Sequence, residues 1–173
     1  MNRRARSRLG AVLAALSCVL SAGCAGYHVG PVSDPGYRSV AVPMFKNKTL
    51  VPQLEAQVTN GIIKRLQTDG AVQVESPQDA DVILVGEILH YRRELLRSSN
   101  NDSNEPREYR IVIEARVEAR NRVTGELVVK PTVVTGQVST FIGSDLQTAE
   151  YQALPLIADD LSKRVVTLLV ERW

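Results

Sequence analysis

Beyond residue 24 this chain has no cysteine at all: its only two, Cys18 and Cys24, fall in the N-terminal segment. A disulfide framework, a thiolate metal site and a cysteine nucleophile are thereby excluded from everything that follows. Histidine is almost as scarce. His28 and His90 are far apart, so neither a histidine zinc site nor a Ser-His-Asp set can be assembled, and both read as surface or packed imidazoles. A Gly-rich phosphate loop and a G-x-S-x-G elbow are also missing. Acidic pairs such as Asp159-Asp160 fall on the polar side of a helical pattern, where solvation accounts for them. The chain therefore reads as a non-enzyme, with no catalytic residue, no metal and no cofactor. No stretch reaches the roughly 18 consecutive apolar residues of a spanning helix, so membrane attachment, if present, rests on the N-terminus.

That N-terminus has the three parts of a secretion signal: Arg3, Arg4, Arg6 and Arg8, an apolar stretch from Leu9 to Leu20, and small residues leading to Cys24. The sequence Leu20-Ser21-Ala22-Gly23-Cys24 resembles a lipobox, whose cysteine is acylated on sulfur and becomes the mature N-terminus. Ser21 stands where that pattern has leucine. Used without acylation, the same segment would serve plain secretion. The reading is a signal peptide over 1–23, a lipidated tether over 24–38 and a single domain over 39–173, with the covalent lipid on Cys24 as the anchor. Several acyl chains suffice for that, since each buried methylene contributes about 0.8 kcal/mol. Four of the 21 basic residues leave with the signal, so 17 face 19 acidic ones in the mature chain. Nothing there forms a basic field for nucleic acid.

Residues 25–38 hold three Gly and two Pro and show no period. Ser39 to Phe45 then reads as a covered strand ended by Pro43, which lacks an N–H for a ladder. From Pro52 the period becomes helical, through Leu54, Val58, Ile62 and Leu66. Gly61 weakens this helix by about 1 kcal/mol relative to Ala, and Thr68-Asp69-Gly70 ends it. After Val72-Gln73-Val74, the run Val82 to Leu89 is too densely apolar for a strand with one wet face, and reads as central. Residues 98–107 carry no apolar side chain and read as a mobile hairpin loop. From Tyr109 to Arg120, Ile111, Ile113, Ala115, Val117 and Ala119 alternate with mostly charged residues, which predicts a long strand buried on one face. Thr124-Gly125-Glu126 supplies a turn, and Leu127 to Ile142 returns antiparallel. Leu154, Ile157, Leu161, Val165 and Leu168 restore the helical period, with Pro155 implying either a start or a kink.

Together these segments predict an α+β two-layer sandwich: a mainly antiparallel sheet of about four strands with two helices on one face. The first helix forms a crossover, which makes its flanking strands candidates for parallel neighbours. The residues that could bind a ligand are basic. Arg92, Arg93, Arg97, Arg107 and Arg110 flank the polar loop on both sides, so a hairpin would gather them at one end of the sheet. Guanidinium forks suit phosphate and carboxylate, which makes these five the candidate contacts to an anionic lipid. The same residues also read as a solvated rim neutralised by Glu94, Glu105 and Glu108.

The order of several short motifs resembles the LPS-assembly outer-membrane lipoprotein family (LptE-like). They are Cys24-Ala25-Gly26-Tyr27-His28; Val40-Ala41-Val42-Pro43-Met44-Phe45-Lys46-Asn47-Lys48-Thr49; Leu54-Glu55 with Thr59; and Ala80-Asp81-Val82-Ile83-Leu84-Val85-Gly86-Glu87-Ile88. Thr124-Gly125-Glu126 and the final segment from Ala153 to Trp173 complete the series. Ala25 and Pro155 depart from the family pattern. The resemblance implies an outer-membrane lipoprotein on the periplasmic face that plugs a large β-barrel translocon (LptD-like), assists its assembly and helps deliver lipopolysaccharide to the cell surface. Direct lipopolysaccharide binding is compatible with it, and no lipid-binding residue is carried over from the family. Periplasmic lipoproteins that activate a cell-wall synthase or form secretion pores (LpoB-like and curli-pore-like) share the F-x-N-x-T and A-D-x-x-L-x-G features. Activators have a long disordered tether, whereas about fourteen residues precede the first strand here. Pore formers need lipid-facing apolar hairpins, and residues 109–120 carry charges on their outer face.

Overall fold

The computed structural model describes residues 35–97, 107–142 and 146–171. Eight elements follow in order: β1 (Ser39–Ala41), β2 (Lys46–Asn47), α1 (Leu54–Asp69), β3 (Gln73–Val74), β4 (Val82–Arg97), β5 (Arg107–Asn121), β6 (Leu127–Ile142) and α2 (Leu146–Val170). The fold is α+β, with two helices and one mixed sheet of six strands rather than the four expected. The extra strands, β2 and β3, are two residues each, too short to carry any period in sequence. Strand order is β3-β1-β4-β5-β6, with β2 also on β4. The first three strands pair in parallel and the long β4-β5-β6 meander is antiparallel. β1 and β4 are direct parallel neighbours, as the crossover through α1 implied.

One hydrophobic cluster joins both helices to a single face of the sheet. It contains Leu54, Val58, Ile62 and Leu66 of α1, Ile157, Leu161 and Val165 of α2, and Leu84, Ile88, Ile111, Ile113, Ala115 and Val117 of the strands. The helical and alternating periods therefore point where the sequence placed them. Gly70 ends α1 in the left-handed region at φ 74°, its N–H bonding the Leu66 carbonyl at 3.0 Å, and Gly125 turns the β5–β6 connection at φ 72°. Gly61 has a role that its helix propensity hides: a Cβ there would sit 2.7 Å from the Ser162 hydroxyl oxygen, so its lack of a side chain lets the two helices touch. Gly136 does the same between β6 and α2, where a Cβ would lie 2.8 Å from that of Leu161.

Helix α2 begins at Leu146, nine residues before Pro155, and the proline lies inside it. Its missing N–H leaves the Tyr151 carbonyl, one turn earlier, without a helical partner. Pro155 and Tyr151 are both exposed, so water can take that carbonyl and the helix continues.

Candidate functional site

β4 and β5 form the expected hairpin, in register from Val82↔Asn121 to Arg97↔Glu108. One irregularity decides where its arginines point. Ile88 pairs with Ala115 and His90 with Glu114, so Leu89 is an extra residue on β4. Before this bulge the helix-facing residues of β4 are Val82, Leu84 and Ile88; after it the face is taken by Tyr91, Arg93 and Leu95, opposite Ile113, Ile111 and Tyr109. A bulge inserts one residue and so exchanges the faces of all that follows.

The candidate arginines are split accordingly. Arg92 and Arg110 lie on the outer face and Arg93 on the helix side. Arg92 donates to Glu114 at 2.7 Å, and this bond holds the Glu114 carboxyl below its ordinary value and raises the guanidinium. Arg110 sits 3.7 Å from Glu94, its cross-strand neighbour. Arg93 reaches Glu150 of α2 at 3.0 Å. Each of these three therefore has a carboxylate partner. Arg97 and Arg107 stand at the end of the hairpin, and their side chains, like the tip 98–106, lie outside the described residues. So does Cys24.

Around the Arg93–Glu150 pair the structure opens a groove of about 640 Å³ that no pattern in the sequence announced. Leu50, Val51 and Pro52 form one wall, Tyr151 and Leu154 the other, with Tyr91 and Glu150 between. The Tyr91 hydroxyl lies 3.4 Å from Glu150, and burial, with the nearby carboxylate, pushes its pKa up to about 12. Leu50 is fully exposed at the rim. Tyr91 and Glu150 were not legible as partners because they are 59 residues apart and the bulge hides the face of Tyr91.

The motif residues themselves build the frame. Phe45 fills the space over Gly86, where any Cβ would collide with its ring, and the Phe45 N–H bonds the buried Thr59 hydroxyl at 3.1 Å. Asn47 folds the next loop: its amide donates to the Val51 carbonyl at 2.8 Å and to Glu55 at 2.7 Å, while its oxygen accepts from the Thr49 N–H and hydroxyl. Asp81 accepts the Arg38 and Ser39 N–H groups at 2.9 and 3.1 Å, and its own N–H bonds the Ser39 hydroxyl. Those donors hold the Asp81 carboxyl below its usual range, the Arg38 bond contributing most. Among the described residues no cluster of His, Cys, Asp or Glu could hold a metal ion, and no helix is long and apolar enough to cross a membrane.

Among solved structures, the hypothetical protein CT253 from Chlamydia trachomatis is similar at 13% identity over 77% of this chain and 98% of its own, with a TM-score of 0.50. That is a likeness of fold. A minor lipoprotein from Acinetobacter baumannii matches at 18% identity, 78% and 94% coverage and a TM-score of 0.49. The PelC dodecamer from Paraburkholderia phytofirmans matches at 17% identity, 84% and 96% coverage and a TM-score of 0.47. No curated protein matches the sequence. The model of the family described as LptE: Lipopolysaccharide-assembly matches residues 37–169.

Proposed function

The chain belongs to the lipopolysaccharide-assembly (LptE) family, and from that premise we propose that it is an outer-membrane lipoprotein of the periplasmic face that plugs and helps assemble a β-barrel translocon for lipopolysaccharide. The observation that carries this reading is the family match across 37–169, which spans nearly the whole described domain. In this reading Cys24 bears the lipid anchor, and the protein acts by position rather than by catalysis, with no cofactor beyond that covalent lipid. A domain whose core is a single cluster, with an outer sheet face of paired charges, suits the polar lumen of a large barrel.

The outer-face arginines Arg92 and Arg110, with Arg93, Arg97 and Arg107 nearby in sequence, are the proposed contacts to lipid A phosphates. Their carboxylate partners refine how they would act. Phosphate must exchange for Glu114 at Arg92 and for Glu94 at Arg110, so binding is to weaken with salt and with competing carboxylate. Affinity purification of the tagged chain from solubilised outer membrane tests the assembly reading. Recovery of a large β-barrel supports it; recovery of a cell-wall synthase instead, or of neither, rejects it. For the arginines, the Arg92, Arg93 and Arg97 triple substitution to Ala should weaken binding to purified lipopolysaccharide at least about tenfold, the loss of one or two charge-assisted hydrogen bonds. Unchanged binding removes them from the site.

A further inference from the structure

β6 ends the sheet, and among the described residues no strand pairs with its far edge. The direction of one N–H sets the phase of that edge. Gln137 donates its backbone N–H to Asp160 of α2 at 3.0 Å, away from β5, so the odd-numbered residues 133, 135, 137, 139 and 141 turn their backbone groups outward. Their side chains lie on the outer face of the sheet. Two of them are large, apolar and well exposed, Val133 at 54% and Phe141 at 68%.

This row is self-complementary. If a second β6 is laid antiparallel about a twofold axis through Gln137, Val133 falls opposite Phe141 of the copy, Thr135 opposite Ser139, and Gln137 opposite itself. A β-branched residue beside an aromatic one, and paired hydroxyls, are favourable cross-strand neighbours. Shifting the axis by one or two residues in either direction separates Val133 from Phe141. On the helix side, the copy's Thr140 would stand opposite Val134, beside a groove of about 470 Å³ lined by Val133, Val134, Thr135, Lys163, Arg164 and Thr167. The opposite edge of the sheet, β3, is two residues long and cannot receive such a strand, so pairing closes as a twofold dimer rather than an open chain.

We propose that the β6 edge is a self-association surface that joins two copies of this chain through residues 133–141, and that Asp160 is its latch. In the single chain the Asp160 carboxylate, steadied by Arg164 at 3.3 Å, occupies the central outward N–H. Pairing requires it to yield that donor to the Gln137 carbonyl of the copy. Pro131 and Lys130, in the bulge where Thr132 and Val129 pair with Val117 and Ala119, blunt the edge below residue 132 and confine the contact to its upper part. The inference is independent of the assembly reading, because a barrel partner and a second copy use different chemistry.

Sedimentation velocity of the purified full chain in density-matched detergent tests it. A concentration-dependent dimer is expected, strengthened about tenfold by Asp160→Ala because the charged hydrogen bond no longer opposes pairing. Val133→Lys should weaken the dimer, and adding Phe141→Glu should restore it, since the new ammonium then faces the new carboxylate of the copy. Within one chain these positions are eight residues apart on a strand, roughly 27 Å, too far to pair internally. A monomer at all concentrations in both the natural chain and Asp160→Ala overturns the proposal. So does a dimer that the charge exchange leaves unchanged or fails to rescue.

Discussion

Gly86 shows how a single missing side chain organises the core. It lies on β4 beneath the Phe45 ring, which is 2% exposed, and no Cβ fits between them. Gly86→Val should destabilise the domain by about 1–3 kcal/mol through overpacking, read as a drop in the urea midpoint. In a Phe45→Ala background the same change should cost much less, because the ring it strikes is gone; equal costs in both backgrounds would show that the collision is not the cause. Both residues were visible in sequence as parts of motifs, yet their pairing was not. Forty-one positions separate them, and only the parallel placement of β2 beside β4 lays one over the other.

Among the elements, α2 departs furthest from its sequence pattern. The helical stripe was legible from Leu154 onward, whereas the turns before Pro155 carry few apolar residues to mark them. Pro155→Ala should restore the bond to the Tyr151 carbonyl and stabilise the protein by about 2 kcal/mol, the proline penalty less the lost restraint on the unfolded chain. Chemical denaturation measures it, and a lower midpoint in the variant would mean that the ring packs usefully in the groove it lines with Gly61 and Ala158. The strands teach the converse lesson. Alternation in β5 identified its buried face residue by residue, from Ile111 to Ala119. In β4 the same reading fails beyond Ile88, because Leu89 adds a residue without breaking the strand, and a period of two carries no record of where it slips.

Across the whole molecule, Asp81 ties the parallel edge to the hairpin. It binds the Arg38 and Ser39 N–H groups at the start of β1, and the Arg122 N–H after β5 bonds its carbonyl at 2.8 Å. Its carboxyl is held below its ordinary 3.8, as that of Glu114 is by Arg92. A depressed carboxyl stabilises the fold fully above its unfolded value, and that stability is lost as pH falls through the lower folded one. Urea midpoints measured from about pH 6 to about pH 2 should therefore fall for the natural chain. Asp81→Asn should start lower at the upper end of that range and fall less steeply, and an unaltered slope would refute the role.

The sequence alone determined what depends on local order: the helix and strand periods, the turn at Gly125, the absence of metal and nucleophile chemistry in the domain, and the family through the order of its motifs. Tertiary structure decided what depends on distant residues meeting. It placed Phe45 over Gly86, added β2 and β3 to the sheet, split Arg92 from Arg93, paired each with a carboxylate, and left β6 at an open edge with Asp160 across it. Periodicity reports which side of an element is buried, since burial selects residues at every turn. It carries no information on which other element does the burying, and every site in this protein is made where two elements meet.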